Sequence, residues 1–140
     1  MKVNIKKLHE DATIPTYATD GSACFDIYAY EQLNIPFAHL KMVSTGVAFE
    51  IPKGYTLQVY SRSSHGQSGI SLANSVGIID SDYRGELKLL IQTTKYSLNI
   101  APGDRVAQGM IVECPSVEFE EVSELSETLR GTGGFGSTGK

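Results

Sequence analysis

Residues 76–92 read Val-Gly-Ile-Ile-Asp-Ser-Asp-Tyr-Arg-Gly-Glu-Leu-Lys-Leu-Leu-Ile-Gln. Two strand-like runs, 76–79 and 87–90, bracket a polar stretch from Asp80 to Glu86. The pattern predicts a β-hairpin with a long polar loop. In the second arm Leu87, Leu89 and Ile91 alternate with Lys88, Leu90 and Gln92, so one face is expected to be buried. The same period of two recurs toward the N-terminus. Tyr55, Leu57 and Val59 alternate with Thr56, Gln58 and Tyr60, and Phe25, Ile27 and Ala29 alternate with Asp26, Tyr28 and Tyr30. Pro52-Lys53-Gly54 and Pro102-Gly103-Asp104 are turn signals between such runs. Short strands at this spacing predict an all-β sandwich, jelly roll or barrel. Helix is expected only as single turns, over Ser68–Ala73 and Ser123–Leu129.

The chain has 140 residues, the size of one domain. Its net charge of −4 and pI near 5.3 are not the balance of a protein that coats nucleic acid, so no nucleic-acid partner is expected. The longest apolar run, Ile27–Tyr30, is far too short to span a membrane. The first ten residues, MKVNIKKLHE, lack the apolar core of an export signal, which predicts a cytoplasmic or otherwise intracellular protein. Cys24 and Cys114 are too few for a disulfide framework or a four-thiolate zinc site, and are expected to be buried small hydrophobes or free thiols. His9, His39 and His65 show no metal-ligand spacing. The acidic stretch holding Glu118, Glu120, Glu121, Glu124 and Glu127 reads as a solvated edge strand and loop.

Glycine is concentrated at the end, in Arg130-Gly-Thr-Gly-Gly-Phe-Gly-Ser-Thr-Gly-Lys140. This stretch has almost no side chains to bury and is expected to be a mobile arm. Fully extended it reaches ~36 Å. Residues 134–140 imitate a Walker A loop, but the hydroxyl residue after the lysine and the helix that would hold the phosphates are both missing. Residues 131–136 imitate a dinucleotide fingerprint without its strand–turn–helix setting. What remains is glycine-rich backbone with free N–H groups, Arg130, Ser137, Thr138 and one aromatic ring, Phe135. That set suits a ligand with a phosphate chain and a flat ring.

Three further segments carry polar chemistry. Asp80 emerges at a strand end, where a carboxylate can take a proton from water or a hydroxyl. Tyr83 offers a flat face, and Gly77 allows close approach to backbone. Arg62 stands among Ser61, Ser63 and Ser64, a set able to hold phosphate oxygens. Gly103-Asp104-Arg105 turns into a strand that presents Gln108 as an amide donor.

Taken in order, these segments resemble the five motifs of the trimeric deoxyuridine triphosphatases. They are Gly21-Ser-Ala-Cys-Phe-Asp26-Ile-Tyr-Ala29, Arg62-Ser63-Ser64, Asn74-Ser-Val-Gly-Ile-Ile-Asp80-Ser-Asp-Tyr83-Arg-Gly-Glu86, Gly103-Asp-Arg-Val-Ala-Gln108, and Arg130-Gly-Thr-Gly-Gly-Phe135-Gly-Ser-Thr-Gly139. Two positions depart from the family pattern. Cys24-Phe25 stands where Gly-Tyr is usual, and Ser64-His65 where Gly-Leu is usual.

The resemblance implies a distorted jelly-roll-like sandwich of the β-clip type over residues 1–129, with residues 130–140 as a flexible lid arm. It implies hydrolysis of dUTP to dUMP and pyrophosphate, assisted by Mg²⁺, in a homotrimer whose sites are shared between subunits. That reaction limits uracil incorporation into DNA and supplies dUMP for thymidylate synthesis. Asp80 would activate the attacking water and hold the sugar 3′-hydroxyl. Tyr83 would reject a ribose 2′-hydroxyl. Backbone groups of Gly77, Ile78, Ile79 and Lys88 would read the uracil edge, supported by Asn74. Arg62, Ser63, Ser64 and Gln108 would hold the phosphates. Asp26 would act on the metal through a bound water. Phe135 would stack on uracil, with Arg130, Gly136, Ser137 and Thr138 covering the phosphates. Arg-Ser-Ser is also similar to the dCTP deaminases, which share the fold. A deaminase, a bifunctional relative or a non-catalytic nucleotide-binding trimer are the alternatives.

Overall fold

The computed structural model describes residues 1–74 and 76–137. Its elements are β1 (Asn4–Lys7), β2 (Phe25–Tyr28), β3 (Leu33–Ile35), β4 (Leu40–Ser44), β5 (Val47–Glu50), β6 (Tyr55–Tyr60), α1 (Ser63–Gln67), β7 (Ile70–Leu72), β8 (Gly77–Ile79), β9 (Lys88–Thr93), β10 (Leu98–Ile100) and β11 (Arg105–Glu113). The fold is an all-β sandwich of the jelly-roll kind. A four-stranded sheet in the order β2-β11-β6-β8 and a three-stranded sheet in the order β4-β9-β7 make its main layers. The pairs β1-β5 and β10-β3 complete it, and every ladder is antiparallel.

The alternation works as expected in β6 and β9. Leu57 and Val59 from the first sheet, with Leu89 and Ile91 from the second, turn inward and join Ile27, Ile35, Val43 and Val47 in one core. Such burial is the main favourable term in holding the layers together. β2 departs from strict alternation. Asp26 lies on the face expected to meet solvent, yet it is only 8% exposed.

The hairpin reading of 76–90 is corrected by the topology. β8 pairs with β6 in one sheet, while β9 pairs with β4 and β7 in the other. Thr56 fixes the first arm by donating from Oγ1 to the Ile79 carbonyl at 2.8 Å. The Leu87 N–H fixes the second by donating to the Val47 carbonyl, also at 2.8 Å. The two arms therefore splay between the layers, and β8, last in its sheet, keeps an edge free of any ladder among the described residues.

The helical turn also differs from expectation. It covers Ser63–Gln67, and Gly69 at φ +70° ends it. Ile70–Leu72 is then free to pair with β9 as β7. Ser123–Leu129 is not helical. So short a helix has no stability of its own, and Leu125 (87% exposed) and Leu129 find no core to pack against. No helix among the described residues is long and apolar enough to cross a membrane.

Candidate active site

Two clefts bring sequence-predicted site residues together. The first, of about 380 Å³, collects Asp26 from β2, Arg62, Ser63 and Ser64 from the start of α1, and Gln108 from β11. These residues are far apart in sequence. The β6–β11–β2 ladders bring them together, with Gln108 in register opposite both Asp26 and Tyr60. A shift of register between Arg105 and Ala107 bends β11 at its start. Bulges of this kind re-aim side chains, and here Arg105 reaches the same cleft. Asp26 receives both cations. Arg62 Nε is 3.0 Å from its Oδ1, and Arg105 Nη1 is 3.3 Å from its Oδ2. One buried carboxylate thus orients two guanidiniums toward a cleft that also offers hydroxyls and an amide. The arrangement leaves one positive charge beyond the ion pair, which suits an anionic chain of phosphates.

Arg105 was not among the residues singled out for phosphate binding. Nothing in the spacing marks it, because its place in the cleft depends on the register shift between Arg105 and Ala107. Cys24 also lines this cleft, half-buried rather than buried, while Cys114 is exposed; both are free thiols.

The second cleft lies where the arms of 76–90 part. Asn74, Gly77, Ile79 and Lys88 line it, with Val59 and Leu89 at its floor. Its volume is about 20 Å³, room for little more than one water. A flat base enters only if the arms separate further. Ile78 does not line it; its side chain is exposed, and its backbone is in register with Gln58. Gly77 packs closely here: a Cβ there would stand 3.3 Å from Asn74 Nδ2, which would have to give slightly, and at ordinary contact, 3.4 Å, from Val59 Cβ.

Asp80 follows directly on β8 and is exposed. Its carbonyl accepts from the Tyr83 N–H at 3.2 Å, which closes a turn, and Tyr83 stands half-exposed beyond it. The two clefts share no lining residue. Arg130, Phe135, Gly136 and Ser137 line neither of them. Arg130 Nε instead donates within the arm to the Gly133 carbonyl at 2.9 Å. Thr138 lies outside the described residues. A larger cleft of about 560 Å³ beside β1 is lined by Ile5, Ile14, Phe25, Phe49 and other apolar residues, and holds no group able to do this chemistry.

The dUTPase family model matches residues 10–139. The deoxyuridine 5′-triphosphate nucleotidohydrolase of Wolinella succinogenes is 46% identical over 142 aligned positions, covering 100% of this chain and 95% of the relative. The enzyme of the same name from Helicobacter pylori strain 26695 is 41% identical, covering 99% and 97%. The chain belongs to the dUTPase family. Among solved structures, a Staphylococcus bacteriophage 80alpha dUTPase with dUPNHPP superposes at a TM-score of 0.92, with 27% identity and 99% of both chains covered. The dUTPase of phage phi11 of S. aureus, described with a structural Mg(II) ion, shares the fold at a TM-score of 0.83 and 23% identity over 89% of this chain.

All five dUTPase motifs lie within the matched residues, and the two departures are local. Ser64 adds a hydroxymethyl group to the Asp26 cleft. His65 turns the other way, into a cleft lined by Arg62, Asn99, Asp104 and Arg105, so it backs the two guanidiniums. Burial first, and then repulsion from Arg62, hold its imidazole below the usual 6.5; a hydrogen bond with the Val106 backbone and the charge of Asp104 oppose this. Between that lowered value and about 6.5 the ring stays neutral in the folded chain while the unfolded chain already binds a proton. The stability this contributes is complete above about pH 6.5 and is lost as pH falls through the lower folded value. His65→Leu should make the urea midpoint, at fixed protein concentration, fall less steeply between pH 7.5 and 5. Parallel profiles would contradict this.

Proposed function

We propose that this chain hydrolyses dUTP to dUMP and pyrophosphate by attack of water on the α-phosphorus, in a site completed by three copies. The observation that carries the reading is the family match from residue 10 to 139, which spans both clefts and the glycine-rich arm.

The phosphate chain is assigned to the Asp26 cleft. Arg62 and Arg105 meet its charge, Ser63 and Ser64 donate hydroxyls, and Gln108 lines the same wall. Uracil is assigned to the slot between the arms. It presents acceptor, donor and acceptor along one edge, and the ladder-free edge of β8 with Lys88 across the slot offers backbone groups to match. Cytosine would leave buried groups unpaired, a mismatch worth about 10⁴-fold or more. Thymine adds a methyl to a slot that is already tight.

Asp80 takes the proton of the attacking water as its oxygen bonds to the α-phosphorus. The bond from that phosphorus to the α,β-bridging oxygen breaks, and pyrophosphate leaves with the electron pair. Tyr83 lies where a 2′-hydroxyl would need room. Phe135 stacks on the base, and Arg130, Gly136, Ser137 and Thr138 cover the phosphates.

Mg²⁺ is the proposed metal. Among the described residues no group of three His, Cys, Asp or Glu is placed to hold an ion, and both Asp26 oxygens already face guanidinium groups. With its oxygens so engaged, Asp26 would hold the ion only through a bound water, and the substrate phosphates would supply its direct oxygen ligands. When bound, the ion neutralises phosphate charge.

Three copies are proposed because one chain keeps the clefts and the arm apart. Val117, Phe119 (92% exposed), Val122, Leu125 and Leu129 are also exposed along the segment before the arm. So much apolar surface in one stretch marks an interaction face.

The test is pyrophosphate release from dUTP, dCTP, dTTP and UTP, with and without Mg²⁺. A marked preference for dUTP is expected; equal rates on all four would overturn the reading. Ammonia release from dCTP would revive the deaminase alternative, for which neither the family match nor the relatives give support.

A further inference from the structure

We propose that Gly85 is a positioning residue for sugar selection: its missing side chain is the space in which the Tyr83 ring lies. The proposal rests on the assignment of Tyr83 to the sugar. Tyr83 Oη donates to the Glu86 carbonyl at 3.0 Å. That acceptor is well anchored. The next residue, Leu87, donates its N–H to the Val47 carbonyl at 2.8 Å. The Glu86 carboxylate accepts from the Gly46 N–H at 2.9 Å and stands 3.5 Å from Lys88 Nζ. The ring is thus folded back across its own loop and clipped to a fixed point.

Folding back takes the ring over residue 85. A Cβ built there would lie 2.6 Å from Tyr83 Cζ and 2.9 Å from Cε2. Carbon atoms pack at about 3.5–4.0 Å, so a Cβ at residue 85 and the ring in this position do not fit together and the ring must shift. The backbone gives no separate reason for glycine, since Gly85 is absent from the positive-φ residues. An alanine would meet no backbone strain, only the ring. The ring is the flexible partner, and the shift expected of it is away from residue 85 and off the Glu86 carbonyl, to which its hydroxyl donates at 3.0 Å. A ring displaced in this way no longer fills the position that excludes a 2′-hydroxyl.

The experiment is kcat/KM for dUTP and for UTP in the wild type, Gly85→Ala, Tyr83→Ala and the double variant. Gly85→Ala should lower the dUTP/UTP ratio by roughly tenfold or more. Tyr83→Ala should lower it too, and the double variant should be no worse than Tyr83→Ala alone, because the alanine then meets no ring. Tyr83→Phe keeps the ring but loses the clip, and should fall between wild type and Tyr83→Ala. An unchanged ratio in Gly85→Ala, or losses that add in the double variant, would overturn the proposal while leaving Tyr83 in its role. An unchanged ratio in Tyr83→Ala would overturn the assignment of Tyr83 and the proposal with it.

Discussion

Asp80→Asn should cut dUTP turnover by about 10²–10⁴-fold while changing the affinity for a non-hydrolysable dUTP analogue only a few-fold. Asparagine has the same shape and can still hold a sugar hydroxyl, but it cannot take a proton from water. Nothing else about the fold should change. Asp80 is exposed at the end of β8, and its side chain enters none of the ion pairs found among the described residues. The turn that places it is made by its backbone carbonyl with the Tyr83 N–H at 3.2 Å, which the substitution leaves intact. Pyrophosphate release and equilibrium binding of the analogue are the two readouts. Turnover equal to wild type would remove Asp80 from the role of base. Loss of binding in step with loss of turnover would make it a binding group instead.

Removing residues 130–140 should lower kcat/KM for dUTP by about 10²–10⁴-fold, with the oligomer intact in sedimentation. The magnitude follows from one lost base–aromatic stack at about 1–3 kcal/mol and one charge-assisted hydrogen bond at about 1.5–3 kcal/mol. The rest of the fold should not notice the loss. Phe135 is fully exposed, and the Arg130 Nε bond to the Gly133 carbonyl stays inside the arm. Phe135→Ala alone should account for the stacking part, in KM more than in kcat. A truncated chain with full activity would contradict the lid.

The strands were legible because alternation in Tyr55–Tyr60 and Leu87–Gln92 reports burial directly. Their pairing was not. Two apolar runs joined by a polar turn look like a hairpin whether they pair or part, and only the ladders with β6 and with β4 and β7 separate the two cases. The helical turn was misplaced because Ile70 and Leu72 carry no mark of their pairing with β9, which overrides local preference.

At the site, the short motifs located most of the side chains, and Asp26, Arg62, Ser63, Ser64 and Gln108 do converge. Arg105 was passed over because its part depends on a register shift in β11, a feature of three-dimensional pairing rather than of spacing. Gly85 reads as an ordinary turn glycine in the chain, and its contact with Tyr83 emerges only when the ring is seen folded over it.

The central claim is that each site is assembled from separate copies, and one measurement addresses it directly. Asp80→Asn chains and chains lacking residues 130–140, each inactive alone, are mixed in equal amounts, unfolded together and refolded. In randomly assembled trimers with composite sites, about a quarter of the sites draw an intact Asp80 from one chain and an intact arm from another, so about a quarter of wild-type activity should return. If Asp80 and the arm of a site belong to the same chain, no mixed oligomer can contain a whole site. Activity that stayed at the level of the separate variants would then contradict the account.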